Sequence, residues 1–208
     1  MNKDARRIWE KPWSYTEGFI VAGGIALTGL LLQLLLGNIR PADFRSPVNT
    51  TVGALLVAGL LCCHFLLRDN HVVRWLSGAR STVPAMLVVL LSIVILGLTP
   101  QFTIHEPQEH LPNNIFSRMG WYRMTTSWAF VLLCFYILVI LGLTVLRKTR
   151  KSQSWRLIGF YLNHLGLFFA LGGGLLGSGD MQRYTMTVVE GNTEWRAHDA
   201  LGNLKELP

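Results

Sequence analysis

SWAFVLLCFYILVILGLTVL, residues 127–146, runs for twenty residues without a charge, and RKTR follows at once at 147–150. A helix rises ~1.5 Å per residue, so this run covers ~30 Å, the thickness of a bilayer's hydrocarbon core. The run is apolar all round, which a surface helix of a soluble domain is not. Four further runs read the same way, at about residues 17–37, 48–67, 82–99 and 156–178. Pro12 and two tryptophans precede the first, and Pro100 ends the third. The expected fold is an all-α polytopic membrane protein with five transmembrane helices.

Composition agrees. Of 208 residues, 50% are apolar and only 15% are charged, against ~25% charged in an ordinary soluble domain. Mean hydropathy is +0.35. No stretch outside the runs exceeds ~30 residues, fewer than the ~40 a domain generally needs to fold without staples. An ordinary cytosolic enzyme, a disordered chain and a compact catalytic domain are thereby excluded. The basic N-terminus is followed by too long a run, with no small-residue cleavage site, to be a cleavable signal peptide. Cys62, Cys63 and Cys134 fall inside apolar runs and read as small core hydrophobes, not as a disulfide framework.

The basic residues predict the direction of insertion. One side of the five spans holds Lys3, Arg6, Arg7, Lys11, Arg68, Arg74, Arg80, Arg147, Lys148, Arg150, Lys151 and Arg156, packed into short segments. The other holds Arg40, Arg45, Arg118, Arg123, Arg183, Arg196 and Lys205, spread among acidic residues. Positive charge stays inside, so the N-terminus is expected in the cytoplasm and the C-terminus outside it. The net charge of +7 is then a topology signal, helped by anionic membrane lipid, and no nucleic acid is expected as a partner. Trp9, Trp13, Trp75, Trp121, Trp128 and Trp155 all fall near span ends, as an interfacial belt requires.

The outer segment at residues 100–126 reads as a polar connector. From residue 179 the character changes. YTMTVV, residues 184–189, alternates and is β-rich, and Glu190-Gly191-Asn192 reads as a turn. One strand cannot stand alone in water. The expectation is the start of an extracytoplasmic β domain, truncated at Pro208.

His164 is the leading chemical candidate. Counted from Arg156 it lies eight residues, ~12 Å, into the fifth span, where an ionisable side chain is costly and marks a functional position. Imidazole is a common axial ligand of haem iron; a neutral histidine bonded to a neighbouring helix is the alternative. At 100° per residue Gly166, Ala170, Gly173, Gly174 and Gly177 share one side, suited to close helix packing. His164, Phe168, Leu171 and Leu175 share the opposite side, which is left for lipid, a subunit or a flat apolar ligand. His64, ~4.5 Å from its span's end, reads first as an interfacial histidine and second as a cofactor ligand. His105 and His110 read as loop histidines, and their spacing is no zinc pattern. His198 carries no signal. Gln33 and Asn163 are polar residues inside spans, explained by interhelical hydrogen bonds. Gly23, Gly24 and Gly29 form a close-packing face on the first span. No phosphate loop, paired carboxylates, nucleophile–base pair or haem-attachment C-x-x-C-H is present, and no catalytic residue or metal ligand beyond haem iron is expected.

The order of these features resembles the ResB-like (CcsB-type) proteins of System II cytochrome c biogenesis. Gly97-Leu98-Thr99-Pro100-Gln101 is similar to the signature at the exit of that family's first helix, with a small change of order. Ser127-Trp128-Ala129-Phe130 and the basic residues after the run resemble its second helix. His164-Leu165-Gly166-Leu167, leading into Gly172-Gly173-Gly174, resembles the third. The match covers residues ~82–208, so the implied division is an N-terminal extension with two spans (1–81), a ResB-like three-helix core (82–178) and the opening of an extracytoplasmic domain (179–208). The resemblance implies a bacterial inner-membrane subunit that binds haem b non-covalently through His164. It delivers haem to apocytochrome c with a CcsA-type partner, separate or fused. The tryptophan-rich segment of that partner is missing from the sequence, so the chain is not expected to catalyse attachment alone. A b-type electron-transfer cytochrome would need two histidines at one depth, and His64 and His164 differ by ~7–8 Å. A cofactor-free membrane scaffold is the third reading.

Overall fold

A computed structural model describes residues 8–102, 110–149, 157–181, 184–191, 193–199 and 202–206. His105, Arg150, Trp155, Arg156 and Asn192 lie outside the described residues. The described residues form seven α-helices: α1 (Tyr15–Leu36), α2 (Val48–Leu66), α3 (His71–Leu76), α4 (Ala79–Leu98), α5 (Ile115–Arg118), α6 (Trp128–Thr149) and α7 (Ile158–Leu176). Five of them, α1, α2, α4, α6 and α7, are long and apolar enough to cross a membrane. Their bounds fall within three residues of the expected spans. Short α3 was not expected.

The ends of α1 show why the run begins and stops where it does. Ser14 is the N-cap: Thr16 N donates to its Oγ at 3.3 Å, while Ser14 N and Oγ donate to Glu17 Oε2 at 2.6 and 2.7 Å. This capping box satisfies amide groups that have no partner within the helix. At the other end Gly37 takes φ +73°, and its N–H returns to Gln33 O at 2.9 Å.

The strongly apolar α6 is the central helix. It contacts α1, α2, α3, α4 and α7, and it contains buried Leu133, Cys134, Leu138, Ile140, Leu141, Leu143 and Val145. Lipid tails are as apolar as leucine, so close backbone approach rather than hydrophobicity holds such helices together. On α1 that approach is made by Gly18, Ala22 and Gly29. A Cβ on Gly29 would stand 2.4 Å from Ala129 Cα of α6, and one on Gly18 would stand 2.5 Å from Arg80 O of α4. That carbonyl is available because Pro84, four residues on, has no N–H to donate to it. Gly23 and Gly24 have nothing within 4 Å, so only Gly29 of the expected trio packs. Ser81 and Tyr136 add one buried hydrogen bond between α4 and α6, 2.8 Å between oxygens.

On the outside Leu27, Leu31, Leu35, Leu90, Leu91, Leu98, Leu162 and Phe169 are exposed. A girdle of this size penalises contact with water and suits lipid. Cys62 is also exposed and Cys63 half-buried, so only Cys134 is a core cysteine.

The two ends of the bundle differ. At the basic end meet the start of α1, the end of α2, α3, the start of α4 and the end of α6. At the loop end the segment before α6 is packed, which departs from a plain connector. Its 3-10 turn, Trp121–Thr126, buries Arg123 and Met124. Gln101 clamps it to the end of α4: its Nε2 donates to Trp121 O at 2.9 Å, and its Oε1 accepts from Met124 N at 3.1 Å.

Beyond α7 the expected strand at 184–189 shrinks to one bridge, Thr185 with His198. The regular pairing lies later, where β1 (Arg196–His198) runs antiparallel to β2 (Leu204–Glu206). Gly191 does sit in a turn with φ +86°. The alternation at 184–189 offers side chains to a face, but among the described residues no neighbouring strand pairs with all of it. Near β1, the Arg196 backbone N–H, the Arg196 guanidinium and the Trp195 N–H hold the Glu194 carboxyl below the usual carboxylate range.

Candidate functional site

His164 is the sixth residue after Ile158, the first of α7, hence ~9 Å along the helix. Its Nδ1 lies 2.9 Å from Phe160 O, one turn back, and its ring stacks on the Phe160 ring at 4.0 Å between centroids. A carbonyl can only accept, so Nδ1 donates, and in the neutral ring Nε2 keeps its lone pair. Nε2 makes no hydrogen bond to a described residue. This is how proteins hold a metal-ligating imidazole: one ring nitrogen is anchored on a carbonyl and the other is left free. The bond stays within α7, so it is not the interhelical bond of the alternative reading.

The packing face of α7 is the reverse of the expected one. Phe168, Leu171 and Leu175 pack against the core cluster of Leu56 and Leu60 on α2 with Leu138 and Leu143 on α6. Gly166, Gly173 and Gly174 instead have nothing within 4 Å of an added Cβ. Two leucines and a phenylalanine fill the groove between α2 and α6 better than glycines do. The helix as a whole remains peripheral, with no buried residue. Asn163 is exposed beside His164 and makes no interhelical hydrogen bond to a described residue.

α7 is tied down at its far end. Asn49 Nδ2, at the start of α2, donates to Leu176 O at 3.0 Å and to Asp180 Oδ2 at 2.5 Å. Asp180 Oδ1 accepts from Ser46 N at 3.2 Å, and Arg45 Nε donates to Gly179 O at 3.0 Å. Gln33 does what an intramembrane glutamine was expected to do. Its Oε1 accepts from Trp128 N at 3.3 Å, capping α6, while its Nε2 donates to Asn38 Oδ1 at 3.0 Å. Asn38 Nδ2 in turn donates to Arg123 O and Thr126 Oγ1.

His64 is half-buried, two residues from the end of α2, with its ring edge-on to Phe65 at 5.0 Å. No ring contact or hydrogen bond joins it to His164. His110 is exposed, and His198 is a strand residue. Among the described residues no three His, Cys, Asp or Glu side chains gather as a metal site.

His71 is the histidine that sequence reasoning passed over. It opens α3 after the Asn70 cap, and its ring stands edge-on to Trp13 at 5.2 Å. Trp13 packs in the same manner on Trp75 and Trp9. The visible signal was His71 with Trp75 four residues later on a short helix between two spans. Compared with family models, with curated proteins and with solved structures, the chain matches none.

Proposed function

We propose that the chain is a haem-delivery subunit of cytochrome c biogenesis in the bacterial inner membrane, with its N-terminus in the cytoplasm and residues 179–208 outside it. The carrying observation is His164, anchored through Nδ1 on the Phe160 carbonyl, with no partner for Nε2 among the described residues. Haem is the cargo: its iron takes an imidazole nitrogen as an axial ligand, and its attachment to apocytochrome c belongs to a CcsA-type partner. The protein's own residues do three things. Phe160 and its carbonyl fix the imidazole's tautomer and ring plane. Phe168, Leu171 and Leu175 lock α7 to the bundle, so that His164 keeps its depth. The Asn49–Asp180 clamp holds the other end of the helix. A second axial ligand would come from a partner helix. His64 is the other candidate ligand within the chain. Counted from the observed helix ends it differs from His164 by ~6 Å in depth, which favours the partner.

The test is an absorption spectrum of the chain purified with its partner. His164→Ala should abolish the haem bands at equal protein level, while Asn163→Ala and His64→Ala retain them. Undiminished bands in His164→Ala would sink the assignment. Reversible redox bands from the chain alone, lost in both histidine variants, would establish a b-type cytochrome instead.

A further inference from the structure

The basic end of the bundle holds a cleft of about 570 Å³ that the haem reading does not use. It lies among the segment before α1, the helix α3, the start of α4 and the end of α6. Trp13 and Trp75 form an aromatic wall, with His71 beside them. Arg74, Arg80 and Arg147 line the same cleft.

Among the described residues, no acid pairs with these three guanidinium groups. The one acidic lining residue, Asp69, is paired with Arg68 at 3.1 Å. Arg147 donates through Nη1 to Arg74 O at 2.8 Å and to Ser77 Oγ at 3.0 Å, which sets the plane of its fork. Arg80 donates through Nη1 to Trp13 O at 3.4 Å. The side chain of Arg74 makes no hydrogen bond to a described residue. Each guanidinium carries five N–H donors, so most of the donors on this cleft have no acceptor within the described protein. His71 adds to the surplus. Trp13 N donates to its Nε2 at 3.4 Å, which puts the ring proton on Nδ1, and that atom is buried without an acceptor among the described residues.

Three like charges around one cavity repel unless an anion sits among them. Guanidinium forks match the oxygen spacing of phosphate better than a point cation does. The level of the cleft narrows the source. It begins where α1 and α4 start and α6 ends, and its indoles are interfacial residues, so in a membrane it lies at headgroup depth. We propose that this cleft binds a phosphate group, held by Arg74, Arg80 and Arg147 against the indoles of Trp13 and Trp75. A lipid headgroup and a free phosphate share that chemistry.

The experiment uses the full chain in neutral-lipid nanodiscs. Phosphatidylglycerol is titrated in one arm and inorganic phosphate in the other, with binding read by native mass spectrometry and tryptophan fluorescence. Each basic side chain near an anionic surface contributes about fivefold to binding. Arg74→Gln with Arg80→Gln should therefore weaken binding about thirtyfold. Arg45→Gln, at the other end of the bundle, should leave it unchanged. Saturable phosphatidylglycerol binding that millimolar phosphate does not displace assigns the site to a headgroup. Displacement by phosphate assigns it to a soluble phosphate. Equal binding by the double variant and the wild type, or no binding in either arm, overturns the proposal. Unchanged thermal unfolding of the double variant in neutral lipid shows that the loss is not one of folding.

Discussion

Replacing Gly29 by alanine tests the packing of the bundle most directly. The new Cβ would lie 2.4 Å from Ala129 Cα, 2.6 Å from Ala129 N and 2.9 Å from Trp128 C, where ordinary contact begins near 3.4 Å. All three atoms are backbone, so no rotamer change relieves the clash. α1 and α6 must part by about 1 Å, and a gap of 0.5–1 Å forfeits a quarter to a half of each dispersion contact along the seam. That seam includes Ala22 and Ile25 of α1 against Tyr136 and Ile140 of α6. Overpacking of this kind costs about 1–3 kcal/mol. Higher helix propensity of alanine returns about 1 kcal/mol, for a net loss of about 0–2 kcal/mol; Gly24→Ala gains the same propensity, so the two variants should differ by the full cost of about 1–3 kcal/mol. Gly24→Ala adds the same methyl group to the same helix with nothing within 4 Å and should be neutral or slightly stabilising. Unfolding of both variants in mixed micelles, followed by far-UV circular dichroism, gives the comparison. Equal stability of the two would refute the close α1–α6 approach.

Two further outcomes follow from the polar and apolar seams. Gln33→Leu should destabilise by about 1–3 kcal/mol, because the Trp128 amide and Asn38 lose their partner at a buried position; faster amide exchange at the start of α6 checks it. Leu171→Ala should cost about 1 kcal/mol or more through lost packing on α2 and α6. Gly173→Ala, on the open side, should cost nothing in the isolated chain; the reverse order in the same micelle titration would mean that α7 packs by its glycines.

The five spans were legible because the property that makes a span is one-dimensional. An uncharged run of about twenty residues satisfies its own backbone as a helix, whatever its neighbours. Gln33 was legible for a related reason, since a buried amide must find partners somewhere. The face of α7 was not. Glycine and leucine sides of a helix both pack in membranes, and the choice depends on the width of the groove between α2 and α6. His71 was illegible because its chemistry comes from Trp13, 58 residues earlier. At 184–189 only Thr185 pairs within the described residues, because alternation describes a face, whereas pairing needs a second strand in register.

Sequence alone determined that this chain is a set of five apolar helices with its charge gathered at their ends, and that one histidine sits inside the last of them. Length, charge and position suffice for that, because each is a property of a segment. Tertiary structure decided which glycines bring helices together, which nitrogen of His164 stays free, and that three arginines from α3, α4 and α6 line one cleft. Those outcomes depend on neighbours distant in the chain, and only packing brings such neighbours within reach.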